Sequence, residues 1–165
     1  MNPGLSIELE PPGIAVGMPL LIAGLQDRFT SETMKEIPAL WQRFVSEAAN
    51  ITGKVQPRVN YGVCSVSGTG GVSYLAGVEV ASPEPLSPGF TLIRIPQQQY
   101  AVFRYDGHVS ELRGMLDAIW SSWLPASGYR ADRTRGAPQF FERYGEKFDP
   151  ARGTGDIEIW VPIET

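Results

Sequence analysis

The sequence predicts an α+β protein in which two pseudo-symmetric β-α-β-β repeats form one antiparallel sheet, with both helices on one face and a ligand cleft on the other. Three observations predict this architecture. The order strand, helix, strand, strand occurs twice, each repeat contains an apolar stripe at helical spacing, and its strands alternate apolar and polar residues. The interpretation is a single domain at 1–165, with repeat one at about 5–81, a linker at 82–89 and repeat two at about 90–165.

The first repeat opens with a strand pattern and continues into a helix. Residues 6–10 alternate as a strand does, and residues 14–18 resume the pattern after a proline-rich break. Pro38 suits the first helical turn, where its missing N–H does no harm. The apolar residues around it recur at three- and four-residue steps and predict an amphipathic helix: Ile37, Leu40, Trp41, Phe44 and Ala48.

A hairpin completes the first repeat. Residues 59–66 and 74–80 read as two strands, and the glycines from Gly68 to Gly71 read as the turn between them. The glycine spacing does not match a phosphate-binding loop. The segment 82–89 is too rich in proline to continue a strand or a helix, so it separates the repeats.

The second repeat follows the same order. Residues 100–105 predict a strand, and Asp106-Gly107 predicts a turn. A second amphipathic helix is predicted to stop at Pro125, and its apolar stripe consists of Leu112, Met115, Leu116, Ile119 and Trp123. Residues 140–144 and 157–163 predict the second hairpin.

Composition and charge exclude several classes of protein. Hydrophobic residues make up 42% and charged residues 19% of the 165 residues, which is typical of a folded chain. The net charge of −4 and the absence of a Lys/Arg run argue against direct nucleic-acid binding. No apolar stretch approaches the ~18 residues that span a bilayer, and no secretory signal pattern opens the chain. A single cysteine, Cys64, permits no internal disulfide, and a cytoplasmic location is expected.

Strand parity in the second hairpin brings aromatic and acidic side chains together. Glu158 and Trp160 point away from the isoleucines of their strand, which we expect to face the helices. In the preceding strand, Phe140, Glu142 and Tyr144 share one face. We expect aromatic and acidic side chains to gather on the face that the helices leave uncovered. Because an exposed aromatic face is costly, this arrangement predicts a cleft that a ligand occupies.

Seven segments, spread over nearly four-fifths of the chain from about Ile37 to the C-terminus, carry a family resemblance. They are Ile37-Pro38-Ala39-Leu40-Trp41, Tyr61-Gly62-Val63, Tyr74 to Val80, Ile95-Pro96 through Tyr100-Ala101-Val102-Phe103, Ile119 to Tyr129, Phe141-Glu142-Arg143-Tyr144 and Ile159-Trp160-Val161-Pro162-Ile163. In this order and spacing they resemble the GyrI-like small-molecule-binding domain, the effector-binding domain of AraC-type regulators.

The resemblance implies a duplicated β-α-β-β fold with a central cleft for an organic ligand. In members fused to a DNA-binding domain the module senses drugs or other effectors, and a buried glutamate at the position of Glu142 faces cationic aromatic ligands. Some free-standing members resemble hydrolases of cyclopropane-bearing toxins that use this glutamate with a nearby tyrosine. The effector-like pattern begins almost at the first residue here, without a helix-turn-helix segment. Direct transcriptional control by this chain is therefore not expected.

Glu142 is the central candidate because a carboxylate among strand aromatics is costly unless it is paired. Burial should raise its pKa, and a cationic ligand should lower it again. The alternative is a solvent-exposed strand residue paired with Arg143 or Lys147. The predicted ligand-binding set is Glu142, Tyr61, Tyr105, Trp123, Phe140, Tyr144 and Trp160. For an enzyme, the predicted catalytic set is Glu142 with Tyr105 and Tyr144.

Other chemistry-bearing residues are expected to be structural. Trp41 and Trp120 lie on helical stripes and suit core packing. Glu79 and Glu158 occupy corresponding hairpin positions, where exposed glutamates are common. Cys64 is not expected to meet His108 as a nucleophile–base pair. One cysteine and one histidine argue against a structural zinc site, and no cofactor or metal is expected.

Three functions remain open from the sequence. The first is a module that binds a hydrophobic, cationic or neutral small organic molecule in order to sense or sequester a drug or toxin. The second is a hydrolase that uses Glu142 as acid or base. The third is an inhibitor that binds a protein partner such as DNA gyrase, as the family name implies. Either a protein partner or a homodimer is compatible with the sequence, whereas nucleic acid and membrane are not expected partners.

Overall fold

The computed structural model describes residues 9–66, 71–83, 88–132 and 138–165. The strand predicted at 6–8, the glycine turn at 68–70 and most of the linker therefore lie outside the described residues, and Leu9 and Glu10 are not in a strand. The strands are β1 (Gly13–Gly17), β2 (Leu20–Phe29), β3 (Asn60–Val66), β4 (Val72–Glu79), β5 (Thr91–Ile95), β6 (Gln98–Tyr105), β7 (Arg130–Ala131), β8 (Phe140–Tyr144) and β9 (Ile157–Glu164).

The strands form one nine-stranded sheet in the order β1-β6-β9-β8-β3-β4-β2-β5, with β7 paired to β9. Each described pairing is antiparallel. The order is symmetric about the β8–β3 contact, because β6, β9 and β8 correspond to β2, β4 and β3. The predicted α+β class and the two pseudo-symmetric repeats in one antiparallel sheet are confirmed.

Three strands of this sheet are absent from the sequence prediction: β2, β5 and the two-residue strand β7. Of these, β2 and β5 connect the two repeats. β2 and β5 lie in segments whose apolar residues do not alternate cleanly, so period-two patterning does not identify them. The first strand of each repeat pairs with a strand of the other repeat, since β1 pairs with β6 and β5 pairs with β2. Only Met18-Pro19 connects β1 to β2, and only Pro96-Gln97 connects β5 to β6. Such connections span at most about 11 Å, so the sheet must curl to bring its two sides together.

The helices cover one face of the curled sheet. They are α1 (Ile37–Glu47), α2 (Leu112–Ala118) and α3 (Leu124–Ser127), with a π-helical turn at Ile119–Trp123 between the last two. Leu40 and Phe44 of α1, and Leu112 and Met115 of α2, are buried against this face. Within the described residues, no helix is both long enough and apolar enough to cross a membrane.

The helix predicted to stop at Pro125 continues to Ser127, so that boundary was wrong. The widened turn before it, in which Leu124 N–H bonds to the Ile119 carbonyl, accommodates a residue that has no N–H to donate. Gly128 ends the segment with φ 84°, a left-handed conformation that favours glycine at a helix C-terminus.

The sheet's other face does not form the open cleft that the sequence analysis expects there. Its apolar side chains form a second core inside the curl: Ile22, Val59, Tyr61, Val63, Leu75, Ile95, Tyr100 and Phe141. The protein's own side chains therefore cover this surface. Glu142 points to the helix-covered face instead, since its partners Tyr74 and Tyr144 belong to the core beneath the helices.

Candidate functional site

Glu142 lies in the middle of β8, close to the symmetry axis of the sheet, and its carboxylate is buried. Only 7% of the residue is exposed. Its Oε1 accepts a hydrogen bond from the Tyr74 hydroxyl at 2.5 Å and another from the Tyr144 hydroxyl at 2.8 Å. Charge-assisted hydrogen bonds of this kind offset part of the cost of burying a carboxylate. We call Glu142, Tyr74 and Tyr144 the carboxylate cluster.

Gly62 makes the carboxylate cluster possible. It lies directly opposite Glu142 in the β3–β8 register. A Cβ at this position would overlap the Tyr74 hydroxyl and approach Glu142 Oε1 to 2.6 Å. Glycine within a strand often marks such a close approach. The missing side chain therefore leaves the space in which the hydroxyl of β4 meets the carboxylate of β8.

Trp41 connects the carboxylate cluster to α1. Its indole Nε1 donates to the Tyr74 hydroxyl oxygen at 3.1 Å. Its ring stands edge-on to Tyr144, with centroids 5.5 Å apart, in the range favoured by aromatic pairs. A chain of two hydrogen bonds thus runs from helix α1 through Tyr74 to Glu142. Trp41 therefore makes a polar contact with the carboxylate cluster in addition to packing against the core.

The electrostatics of the cluster are dominated by desolvation. Burial raises the pKa of Glu142, and the hydrogen bonds from Tyr74 and Tyr144 partly counteract that rise. Burial, followed by the negative charge of Glu142, holds the pKa of both tyrosines well above the usual value. The three ion pairs found among the described residues do not involve Glu142. The cluster therefore presents a buried acid whose charge is solvated by two hydroxyls, with aromatic rings around it.

The exposed alternative for Glu142 does not apply. Arg143, its neighbour in the chain, points to the opposite face, where its guanidinium lies 3.7 Å from Glu158. A hydrogen bond between Arg143 and Tyr61 lowers the pKa of that tyrosine, but desolvation has the larger effect and leaves it raised. Alternation along β8 thus separates the basic side chain from the buried acid.

Four of the seven predicted binding residues accompany Glu142 on the helix-covered face, although at different distances from it. Tyr144 bonds to the carboxylate directly. Phe140 packs under Trp120, with ring centroids 5.7 Å apart. Trp123 packs on Phe103 and stacks with Tyr129, so it lies over β6. The Tyr105 hydroxyl donates to the His108 carbonyl at 2.6 Å.

The remaining two predicted residues, Tyr61 and Trp160, lie on the opposite face. Trp160 stacks on Phe141 at 5.5 Å and donates its indole N–H to Glu158. Tyr61 packs edge-on against the same Phe141 ring. A single hollow lined by all seven predicted residues is incompatible with this separation.

The residues expected to be structural show no catalytic grouping. Burial, and then the charge of Glu142, raises the pKa of Cys64 to about 12, and its thiol lies 3.9 Å from Gln139 Oε1. His108 is exposed, and its Nδ1 accepts from the Ser110 backbone N–H at the start of a helical turn. Among the described residues, no group of His, Cys, Asp and Glu side chains has the arrangement of a metal site.

Three residues of the site are not identified by the sequence patterns: Tyr74, Trp41 and Gly62. The pattern marks Tyr74 only as a strand residue, because its meeting with Glu142 depends on strand order. Gly62, which lies between Tyr61 and Val63 in a predicted strand, is the one local signal, since a strand glycine indicates close approach by another group.

Comparison with known proteins identifies relatives of this fold. The sequence profile of Cass2, described as an integron-associated effector binding protein, matches residues 19–163. The transcriptional regulator BrlR of Pseudomonas aeruginosa is 32% identical over 136 residues, which are 82% of this chain and 49% of BrlR. The chain therefore spans about half the length of this curated relative.

Solved structures share the fold at lower identity. SAV2435, in a complex with tetraphenylphosphonium, superimposes with a TM-score of 0.70 and 20% identity over 96% of this chain and 94% of its own. The integron cassette protein VCH_CASS2 of Vibrio cholerae gives 0.63 and 17%, over 94% and 97%. These structures share the fold, and together with the Cass2 profile and the similarity to BrlR they confirm the predicted relationship to GyrI-like effector-binding domains. The family match supports small-molecule binding as the general function.

Proposed function

We propose that this chain, which belongs to the Cass2 family of integron-associated effector-binding proteins, binds a lipophilic organic cation at Glu142. The observation that supports the proposal most is the burial of this carboxylate among aromatic rings with its charge stabilised only by neutral hydroxyls of the described residues. A positive ligand would supply the missing counter-charge. Its role would be to sense or sequester a drug or toxin.

Physical chemistry favours a cation over a neutral guest at this position. A unit charge about 5 Å from the carboxylate gains about 3 kcal/mol at an effective dielectric constant of about 20. The faces of Trp41 and Tyr144 each add about 0.5–2 kcal/mol when they meet a desolvated cation. The similarity to SAV2435, whose structure is bound to tetraphenylphosphonium, supports the same class of ligand.

Titration with tetraphenylphosphonium tests the proposal. We expect saturable binding by calorimetry, and we expect Glu142→Gln to weaken it on the order of a hundredfold, which corresponds to the Coulomb gain of about 3 kcal/mol. The amide keeps the acceptor oxygen for Tyr74 and Tyr144, so the variant removes charge and little else. Glu158→Gln is the matched control, because that glutamate lies on the other face of the sheet.

Neutral triphenylphosphine oxide separates charge from shape. It should bind wild type and Glu142→Gln with similar affinity, since neither depends on a counter-charge in that complex. The proposal fails if Glu142→Gln binds tetraphenylphosphonium as tightly as wild type does, or if Glu158→Gln weakens binding equally.

Hydrolysis is the second candidate, and the direct contact between Tyr144 and Glu142 favours it. Because burial raises the pKa of Glu142, this carboxyl stays protonated to higher pH than an exposed glutamate does, which suits a proton donor. In a cyclopropane substrate, Glu142 would protonate one ring carbon, the ring C–C bond would break, and water would add to the other carbon and return its proton to the carboxylate. Tyr144 fits the assisting role. Tyr105, whose hydroxyl donates to the His108 carbonyl, does not.

Mass spectrometry tests the enzyme. Incubation with a cyclopropane-bearing compound should yield a product heavier by one water, and that product should disappear with Glu142→Gln. Binding without any product, in wild type at saturating compound, rejects the hydrolase and leaves the cation-binding proposal standing.

A further inference from the structure

A cavity of about 300 Å³ lies on the helix side of the sheet, and its lining does not include Glu142, Tyr74 or Tyr144. We call it the outer pocket. Phe29, Met34 and Val72 form its apolar part, and Thr30, Arg113 and Gln139 contribute polar groups. Its volume is at the lower end of the range for small-molecule sites, so it suits an occupant of one or two rings.

The outer pocket is separate from the carboxylate cluster. Gln139 and Glu142 are three residues apart along one strand direction, which is about 10 Å at strand spacing. The buried ring of Phe140 lies on the same sheet face between them. Phe29 stands edge-on to Tyr74, with centroids 6.4 Å apart. The ring of Tyr74 therefore stands between Phe29, which lines the outer pocket, and the carboxylate to which the Tyr74 hydroxyl bonds.

The charge in the outer pocket is opposite to that of Glu142. Of the described residues that line it, Arg113 is the one with a charge, and no Asp or Glu is present. The ion pairs found in the described part of the chain do not use Arg113. A guanidinium offers a planar fork of donors that matches a carboxylate. The side-chain amide of Gln139 adds another polar group at the same opening.

We propose that the outer pocket is a second ligand site, which takes an aromatic carboxylate of one or two fused rings. The rings lie against Phe29, Met34 and Val72, and the carboxylate meets the Arg113 guanidinium. This site has a ligand preference opposite to that of the carboxylate cluster, and it does not depend on cation binding there. Because Arg113 is exposed, its charge should improve affinity only about two- to fivefold.

Methionine methyl NMR locates the occupant without relying on a substitution. With methyl-labelled protein and 1-naphthylacetate as the probe, we expect the Met34 resonance to shift, since this side chain lines the outer pocket. The resonances of Met115, a buried residue of α2, and of Met18, an exposed residue after β1, are internal controls and should not shift. A Met34→Leu variant assigns the resonance.

The neutral probe 1-naphthylacetamide measures the contribution of charge. Wild type should bind the acid about two- to fivefold more tightly than the amide, and Arg113→Gln should make the two affinities equal. Arg104→Gln, an exposed arginine on β6, is the matched control and should leave the preference intact.

Three outcomes would overturn the proposal: the acid leaves Met34 unshifted, the acid and amide bind wild type equally, or Arg113→Gln keeps the preference. Glu142→Gln distinguishes this proposal from the cation site. It should abolish most tetraphenylphosphonium binding while leaving 1-naphthylacetate affinity unchanged, so either site can fail without the other.

Discussion

Gly62→Ala should break the carboxylate cluster from the strand side. The new Cβ would lie 2.6 Å from Glu142 Oε1 and closer still to the Tyr74 hydroxyl, so Tyr74 must move and its hydrogen bond to the carboxylate must lengthen or break. Overpacking of this kind costs about 1–3 kcal/mol, and the strained hydrogen bond adds about 1 kcal/mol. We therefore expect the free energy of unfolding to fall by about 2–4 kcal/mol.

Urea unfolding measures that loss directly, and thermal unfolding should show a decrease in Tm on the order of 5–15 °C for a chain of this length. Gly13→Ala is the matched control, because a Cβ there meets nothing within 4 Å and should change stability by less than about 0.5 kcal/mol. In a Tyr74→Phe background the nearest clashing atom is gone, so Gly62→Ala should cost less. Equal stability of Gly62→Ala and Gly13→Ala, or an unchanged cost in the Tyr74→Phe background, would refute this account of the packing.

Three further predictions follow from the buried acid and the thiol beside it. Because burial raises the pKa of Glu142, the affinity for tetraphenylphosphonium, a permanent cation, should rise with pH through that pKa and then level off. Tyr144→Phe removes a hydrogen bond that lowers the pKa of Glu142, so this variant should move the midpoint of the affinity profile to higher pH. A flat pH profile by calorimetry would contradict both statements. A carboxyl whose pKa is higher in the folded than in the unfolded chain stabilises the fold below its unfolded pKa, which is about 4.3. That stabilisation is lost as the pH rises through the folded-state pKa. The loss is about 1.4 kcal/mol for each tenfold difference in proton affinity between the folded and unfolded chains. Glu142→Gln should therefore raise Tm at neutral pH relative to wild type, with the difference disappearing near pH 4, and a lower Tm at neutral pH would count against it. Because burial raises the pKa of Cys64 to about 12, iodoacetamide at about pH 8 should alkylate the native chain far more slowly than the urea-unfolded chain, and equal labelling rates by mass spectrometry would show that the thiol is accessible.

Much of the fold is predictable because its signals are local. The stripe through Leu40 and Phe44 identifies α1, and strand alternation identifies β8 and β9 within a residue of their observed bounds. β2 and β5 are missed because their pairing with other strands, not their own pattern, makes them strands. The end of the second helix is also missed, since a π-helical turn leaves no mark in apolar spacing.

The site is only half predictable for the same reason. Glu142 and Tyr144 belong to one strand, so parity alone puts them on one face. Tyr74 reaches the carboxylate from β4 across the gap at Gly62, and that contact depends on the strand order β8-β3-β4. The sequence analysis assigns Glu142 to the face that the helices leave uncovered, whereas the structure places it on the helix-covered face. The error arises because the sequence does not show that the sheet curls and fills its second side with its own side chains.

The short connections that draw the two sides of the sheet together have a consequence for how the protein adapts to a guest. Opening the curl would require unpairing β1 from β6 or β5 from β2, and it would expose the second core to water. We therefore expect the strands beneath Glu142 to stay rigid, and any movement on ligand binding to occur in α1 and in the helices of the second repeat. Amide protons of β3 and β8 should exchange slowly whether or not a guest is bound, while those of α1 respond to it.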